Sequence, residues 1–321
     1  MMFIVLRILA AMLLAAASSV SFGASWPDRP ITLIVPFTPA TGIDLIARQL
    51  SASLPKRLGQ SVVVENIPGA SGNIGTEKVA RAKPDGYTFL VTVSTLVMNR
   101  SLYKLPYDPV QAFEPVGQTS WGTLVLVTGP KNPVHDVAGL VAAAKAQPGK
   151  LTYGSPGVGT PHHLAMALLD GLTGIKMLHV PYKGTAGAVQ DMLGGRLDYM
   201  FLPIHVALPQ IKAGKLKAVA VGSPKRAAQL PDIPTLGEAG LKGANVDMWY
   251  GVLAPKGTPK PIIASLNKAV NEVLAAPSTA VAFESQGMVP APSTPEQFGE
   301  LIAKDDKRWA EVIKKAGITA N

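Results

Sequence analysis

The chain contains no cysteine. That excludes a disulfide framework, a thiolate metal site and the acylated cysteine of a lipoprotein, so the fold is held by its core alone. Aromatic residues are also scarce, at 6%, and charged residues stand at 16%. Despite a formal net charge of +9, Lys and Arg are dispersed rather than clustered or interleaved with aromatics, which argues against a nucleic-acid surface. A mildly basic protein of this kind attracts small anions or is simply kept in solution by its charge. The apolar run at residues 8–17 is too short for a comfortable membrane span.

The signatures of common enzyme classes are missing too. The glycine-rich stretch Gly69-Ala70-Ser71-Gly72-Asn73-Ile74-Gly75 lacks the G-x-G opening of a dinucleotide site, and neither it nor Gly171-Leu172-Thr173-Gly174-Ile175-Lys176 has P-loop spacing. Ser71 and Ser155 are not flanked as a nucleophile elbow requires. His135, His162, His163, His179 and His205 form no HExxH motif and no i, i+4 pair. No enzyme activity, metal or cofactor is expected.

Residues 1–23 carry Arg7, the apolar run, and Ser18, Ser19, Ser21 and Gly23, the outline of a secretory signal peptide, with cleavage either before or after Ala24. The remainder, with 47% hydrophobic residues in a 321-residue chain, is large enough for two α/β lobes. The stretch that organises it is Ile31 to Asp44. Residues 31–35 read as a strand, Pro36 and Pro39 interrupt it, and Ile43, Ile46, Ala47, Leu50, Leu54 and Leu58 follow at helical spacing, with Pro55 ending the helix near Leu54. A loop that reaches Thr41-Gly42 at a helix start gathers N–H groups and the positive end of a helix dipole, an arrangement suited to an anion such as a carboxylate.

Strands at 61–65 and 87–93, alternating with helices, predict a parallel sheet whose loops gather at one edge. The extended stretch 115–128 is expected to cross into a second αβ lobe inserted in the first, and a strand at 216–221 to lead back. Boundaries of 24–120 for the first lobe, 121–221 for the second and 222–321 for the return follow. A strand at 248–254 and helices near 261–275, 279–286 and 295–316 finish the chain.

Among single residues, His163 follows a glycine-rich loop on the first turn of a helix, where it either donates to a ligand or packs and caps. Asp44 near a helix start is accounted for by the helix dipole, and Asp198, in an otherwise apolar stretch, reads as structural. Lys183 could pair with a carboxylate or point to solvent. The poor geometry of a flexible lysine favours the second.

Taken together, Trp26-Pro27-Asp28-Arg29-Pro30-Ile31, Val35-Pro36-Phe37, Val64-Glu65-Asn66, Pro68-Gly69-Ala70, Gly72-Asn73-Ile74-Gly75, Pro84-Asp85-Gly86-Tyr87, His179-Val180-Pro181-Tyr182-Lys183-Gly184 and Leu230-Pro231-Asp232-Ile233-Pro234-Thr235 resemble the tripartite tricarboxylate transporter substrate-binding family, also called Bug proteins. The resemblance runs from Trp26 to the C-terminus. It implies an α/β, two-lobed periplasmic-binding-protein-like (Venus flytrap) fold with two mixed or parallel sheets flanked by helices. It further implies a periplasmic monomer that captures a small carboxylate for a membrane permease of that type, or for a sensor.

Carried over by the resemblance, the first-lobe ligand residues are Phe37, Thr38, Pro39, Ala40, Thr41, Gly42, Asp44, Pro68, Gly69, Ala70, Ser71, Gly72, Asn73 and Ser94. Those of the second lobe are Ser155, Gly159, Thr160, His163, Tyr182, Lys183, Gly184 and Leu202. Family members usually have paired glycines where this chain has Ala40 and Thr41, often a Glu at Ala167 and often an Asp at Leu202. Two lost acids, with Met166, Ala167 and Leu202 in the cleft, imply a carboxylate on an apolar or aromatic body, or a dicarboxylate, rather than an amino acid.

Overall fold

The computed structural model describes residues 26–182 and 184–319. The signal-peptide reading of residues 1–23 and the role of Lys183 lie outside the described residues.

The first strand, β1 (Ile31–Val35), is apolar and buried at every position but the half-buried Thr32, because it lies inside its sheet, between β2 and β3. Helix α1 (Gly42–Ser53) buries Ile43, Ile46, Ala47 and Leu50 against β1 and its neighbours. It stops where Pro55 lacks the N–H that would continue the ladder, and Pro55 instead opens the single turn α2 (Pro55–Leu58). β2 (Val62–Asn66), α3 (Asn73–Ala80), β3 (Thr88–Val93) and α4 (Thr95–Leu102) complete the first passage through this lobe. Gly75 on α3 is required by close approach, since a Cβ there would lie 2.7 Å from the Ile67 carbonyl oxygen and 2.8 Å from the Pro36 Cα.

β4 (Phe113–Gly122) belongs to the first sheet, and after Thr123 the chain enters the second as β5 (Leu124–Thr128). There follow α5 (Val137–Ala146), β6 (Thr152–Ser155), α6 (Pro161–Thr173), β7 (Leu178–Pro181), α7 (Thr185–Leu193), β8 (Tyr199–Pro203), α8 (Ile204–Lys212) and β9 (Lys217–Val221). The chain then regains the first sheet at β10 (Met248–Pro255) and closes with α9 (Lys260–Leu274), α10 (Pro277–Ser285), β11 (Met288–Pro290) and α11 (Pro295–Ala316). The first sheet has the order β11-β4-β10-β3-β1-β2 and the second β7-β6-β8-β5-β9. Both are mixed: β2, β1 and β3 run parallel while β10 pairs antiparallel with β3 and β4, and β7, β6 and β8 run parallel while β5 pairs antiparallel with β8 and β9.

Four elements depart from the expectation, one of them β11, a short edge strand between two of the expected helices. Strand β9 is an edge strand of the second sheet rather than the segment that leads back, and residues 222–247 make the return. α4 is unpredicted because Thr95, Leu96, Val97, Met98 and Asn99 are all buried, so no apolar stripe marks it. α8 is hidden by Pro209 in its interior.

β8 shows how the second lobe divides its core. Tyr199 and Phe201 join a cluster shared with β1, β3 and α6, whereas Met200 and Leu202, on the opposite face, join a separate cluster with Val125, Met192 and Ile204. The long α11 starts with a capping box at Thr294 and Gln297 and ends at the left-handed Gly317. Its buried stripe of Phe298, Ile302, Trp309 and Ile313 packs on β4 and α4 of the first lobe, and the helix also touches α6 of the second.

Candidate functional site

Parallel pairing brings the C-terminal ends of β2, β1 and β3 side by side, so the segments that follow them share one sheet edge. In the loop after β1, Ala40 has φ of 63°, a left-handed conformation that costs a residue with a Cβ about 1 kcal/mol. Thr41, by contrast, is ordinary extended backbone at φ −81° and ψ 162°. The paired-glycine difference therefore bears on Ala40 alone.

What holds Ala40 is Asp44. The buried carboxylate accepts the Ala40 N–H at 2.9 Å on Oδ2, the Asn66 Nδ2–H at 3.0 Å on Oδ1 and the Arg48 Nε–H at 2.8 Å. Asn66 Nδ2 also reaches the Phe37 carbonyl at 3.1 Å, tying β2 to the same loop. Burial alone would raise the Asp44 pKa, but the hydrogen bonds from Arg48, Ala40 and Asn66 outweigh it and hold the carboxyl below its ordinary value. Asp44 is thus the clamp of the loop. The first intrahelical bond is Leu45 N–H to Thr41 O at 3.0 Å, so the N–H groups of residues 42–44 precede the ladder at the positive helix end.

The second loop is more contorted. Gly69, Ala70, Ser71 and Gly72 have φ of 135°, 46°, 54° and 89° in succession. Asn99 on α4 braces it, donating from Nδ2 to Ser71 O at 2.9 Å and to Asn73 Oδ1 at 2.8 Å, and Ser71 Oγ lies 3.0 Å from the Tyr103 hydroxyl. The Phe37 ring closes over Gly72, where a Cβ would lie 3.0 Å from it. Asn73 Nδ2 and Ser94 Oγ are buried with no partner among the described residues.

In the second lobe, Ser155 ends β6 with its Oγ 2.7 Å from His179 Nε2 and 2.9 Å from the Gly157 carbonyl. Thr160 Oγ1 donates to that same carbonyl at 2.8 Å, and the Gly159 N–H donates to His163 Nδ1 at 3.1 Å. The rings of His163 and His179 stack at 3.9 Å, with Tyr153 4.8 Å from His179. Burial lowers His163 to about 3, helped by its neighbour His179, and burial lowers His179 to about 4. Both rings are neutral near pH 7, so His163 fixes the loop by accepting a backbone N–H. Tyr182, in the turn after β7, sends its hydroxyl to Asp191 at 2.5 Å, and Gly184 caps α7 beside it. Leu202 lies in the core cluster of the second lobe, fully buried, as is Met166 in the other cluster.

The two sets of loops meet. A Cβ on Gly159 would fall 2.3 Å from Leu102 of α4, and a Cβ on Gly42 would fall 3.0 Å from the Tyr250 hydroxyl and 3.6 Å from His205 of α8. Tyr250, His205, Asn99 and His179 are the residues that sequence reasoning passed over. His205 carried a local signal in its position just beyond the C-terminal end of a strand, and His179 opens the stretch His179-Val180-Pro181-Tyr182.

The profile described as tripartite tricarboxylate transporter family receptor matches residues 46–318. Protein BugT of Bordetella pertussis is 38% identical over 296 residues, 91% of each chain. Among solved structures, R. palustris Rpa4515 with adipate is 35% identical at a TM-score of 0.85, covering 92% of this chain and 100% of that one. MatC from Rhodopseudomonas palustris with bound malate is 32% identical at a TM-score of 0.81, covering 90% and 100%. With two mixed sheets, helices on their faces and loop sets meeting between them, the chain has the two-lobed fold of the periplasmic binding proteins and belongs to the tripartite tricarboxylate transporter family of receptors.

Proposed function

We propose that the protein is an exported, periplasmic solute receptor that captures a small carboxylate between its lobes, with dicarboxylates and aromatic carboxylates the favoured classes. It delivers that ligand to a membrane permease of the tripartite tricarboxylate type. The observation that carries this reading is the meeting of the strand-end loops of both sheets at Gly42 with His205 and at Gly159 with Leu102.

The chemistry of the loops fits an anion. Residues 36–44, 68–73 and 155–163 supply backbone N–H groups, hydroxyls and a phenyl ring, and their one acid, Asp44, is committed to Ala40, Asn66 and Arg48. An ammonium group finds no free carboxylate there, which disfavours an amino acid. Met166 and Leu202 sit in cores, so the apolar character of the crevice rests on the partly buried Phe37 instead. The dicarboxylates bound by the two R. palustris relatives support the choice of class.

A hydrogen bond to a charged group contributes about 1.5–3 kcal/mol. A micromolar Kd corresponds to about 8 kcal/mol, so four or five such contacts, less the cost of ordering the lobes, suffice. The test is a thermal-shift panel on the chain from Ala24 onward with malate, adipate, phthalate, benzoate, aspartate and glutamate. A ligand at 100 times its Kd adds about 2.7 kcal/mol of stability. A shift with a dicarboxylate or aromatic acid is expected; a shift with aspartate or glutamate alone, or with no carboxylate, overturns the proposal.

A further inference from the structure

Away from the meeting loops, a cavity of about 680 Å³ lies between the last turns of α6 and α11. Leu168, Leu172, Ile175, Val312 and Ile318 supply apolar walls, and Asp170 is the acid set among them. Its Oδ1 is buried with no hydrogen-bond partner among the described residues, and its Oδ2 receives only a long 3.4 Å contact from the Met177 N–H. Burial raises the Asp170 pKa to about 7, which is what an acid without a counter-charge does.

Two acids, Asp170 and Glu311, and two cations, Arg308 and Lys315, line the space, and of these it is Asp170 that has a buried oxygen without a partner among the described residues. Two helix C-termini, each with partial negative charge, converge on the space, and Glu311 adds a carboxylate at its edge. Arg308 is already engaged, donating to the Asn245 carbonyl and lying 4.9 Å over the Trp309 ring, and Lys315 is exposed. No group of three metal-ligating side chains occurs among the described residues, so the space offers a lone carboxyl rather than a chelating set.

We propose that this cavity is a second ligand site, for a small amphipathic primary amine. Its ammonium pairs with Asp170, whose two oxygens exchange by rotation about a soft terminal torsion, and its apolar body lies between Leu172 of one helix and Val312 of the other. The occupant touches both lobes, because α11 packs on the first and α6 belongs to the second. It also touches Tyr153 and His163, which line the cavity, and His163 fixes Gly159 of the carboxylate loop.

Calorimetric titration of the chain from Ala24 onward with hexylamine, and with hexanoate and hexanol as controls, tests the assignment. Hexylamine is expected to saturate one site per chain while hexanoate does not, and Asp170→Asn should weaken hexylamine by about tenfold or more. Leu172→Lys, at an exposed position, places a cation at the cavity and should also weaken it, which decides the matter if Asp170→Asn fails to fold. Equal binding of hexylamine and hexanol, preference for hexanoate, no hexylamine binding, or wild-type affinity in both variants overturns the proposal. Carboxylate binding is measured separately, so its failure leaves this result intact.

Discussion

Replacing Asp44 by alanine removes the clamp on the loop after β1, the first of the proposed ligand loops. The variant leaves the Ala40 N–H without its acceptor and deprives Asn66 of one of its two acceptors. Both are hydrogen bonds to a buried carboxylate, for which about 1.5 kcal/mol each is the lower end, giving a loss of about 3 kcal/mol. The Arg48 ion pair adds little, because its guanidinium is more than half exposed. For a chain of this size, whose unfolding entropy is about 0.6 kcal/mol/K, the loss lowers Tm by about 5 °C. Because the folded pKa of Asp44 is depressed, the stabilisation is present above the ordinary carboxylate pKa and is lost as pH falls through the folded one. Urea titration of Asp44→Ala and the parent at pH 7 and pH 3 should therefore show a gap at pH 7 that narrows at pH 3. Carboxylate affinity, measured by calorimetry on the best ligand of the panel, should fall by about tenfold or more, since Ala40 is free to leave its left-handed conformation. A loss below about 1 kcal/mol with unchanged affinity would refute the clamp.

Five further substitutions, at four positions, test the loops and two buried titratable groups. Ala40→Gly relieves a positive φ and is expected to be neutral or stabilising by less than about 1 kcal/mol in urea, whereas Ala40→Val is destabilising. Gly159→Ala would place a Cβ 2.3 Å from Leu102 at φ of 77°, so it should cost more than about 2 kcal/mol and weaken carboxylate binding as well, read by melting and calorimetry. His162 is buried with neither ring nitrogen partnered among the described residues, and burial lowers its pKa to about 3. His162→Phe should therefore stabilise the fold, and more at pH 5 than at pH 8, because the penalty of keeping the imidazole neutral grows as pH falls from about 6.5. Asp247 behaves in the opposite sense: burial raises it to about 7 and its Oδ1 has no partner among the described residues. Asp247→Asn should raise Tm at pH 8 and have little effect at pH 4, where the native carboxyl is already protonated.

The sequence reveals those parts of the fold whose cause is local. A short apolar run before Pro36, the spacing of Ile43, Ile46 and Leu50, and the stop at Pro55 determine β1 and α1 within a few residues, and Pro295 and Gly317 delimit α11. Pairing is not local, so β9 read in isolation is the same object whether it crosses between sheets or lies at the edge of one. The same division runs through the site. Glycine and proline mark the loops, but the partner of Asp44 is Asn66, the partner of Ser155 is His179 and the brace of Ser71 is Asn99, each more than twenty residues away. Leu202 was open to a local argument, since strand alternation sets it opposite Phe201 and with Met200.

Strain supplies the link between these two kinds of information. Among the described residues, the three non-glycine positions with positive φ are Ala40, Ala70 and Ser71, and all three lie in the two first-lobe loops. Each costs about 1 kcal/mol or more and persists only where the surroundings over-determine it. Those surroundings are visible: Asp44 holds the Ala40 N–H, and Asn99 holds the Ser71 carbonyl. A loop held against its own preference keeps its amides aimed before any ligand arrives, so less ordering remains to be done on binding. Ala40 can thus keep the conformation that the proposed carboxylate site needs, because it is imposed from outside the loop by a helix acid and an asparagine on the neighbouring strand.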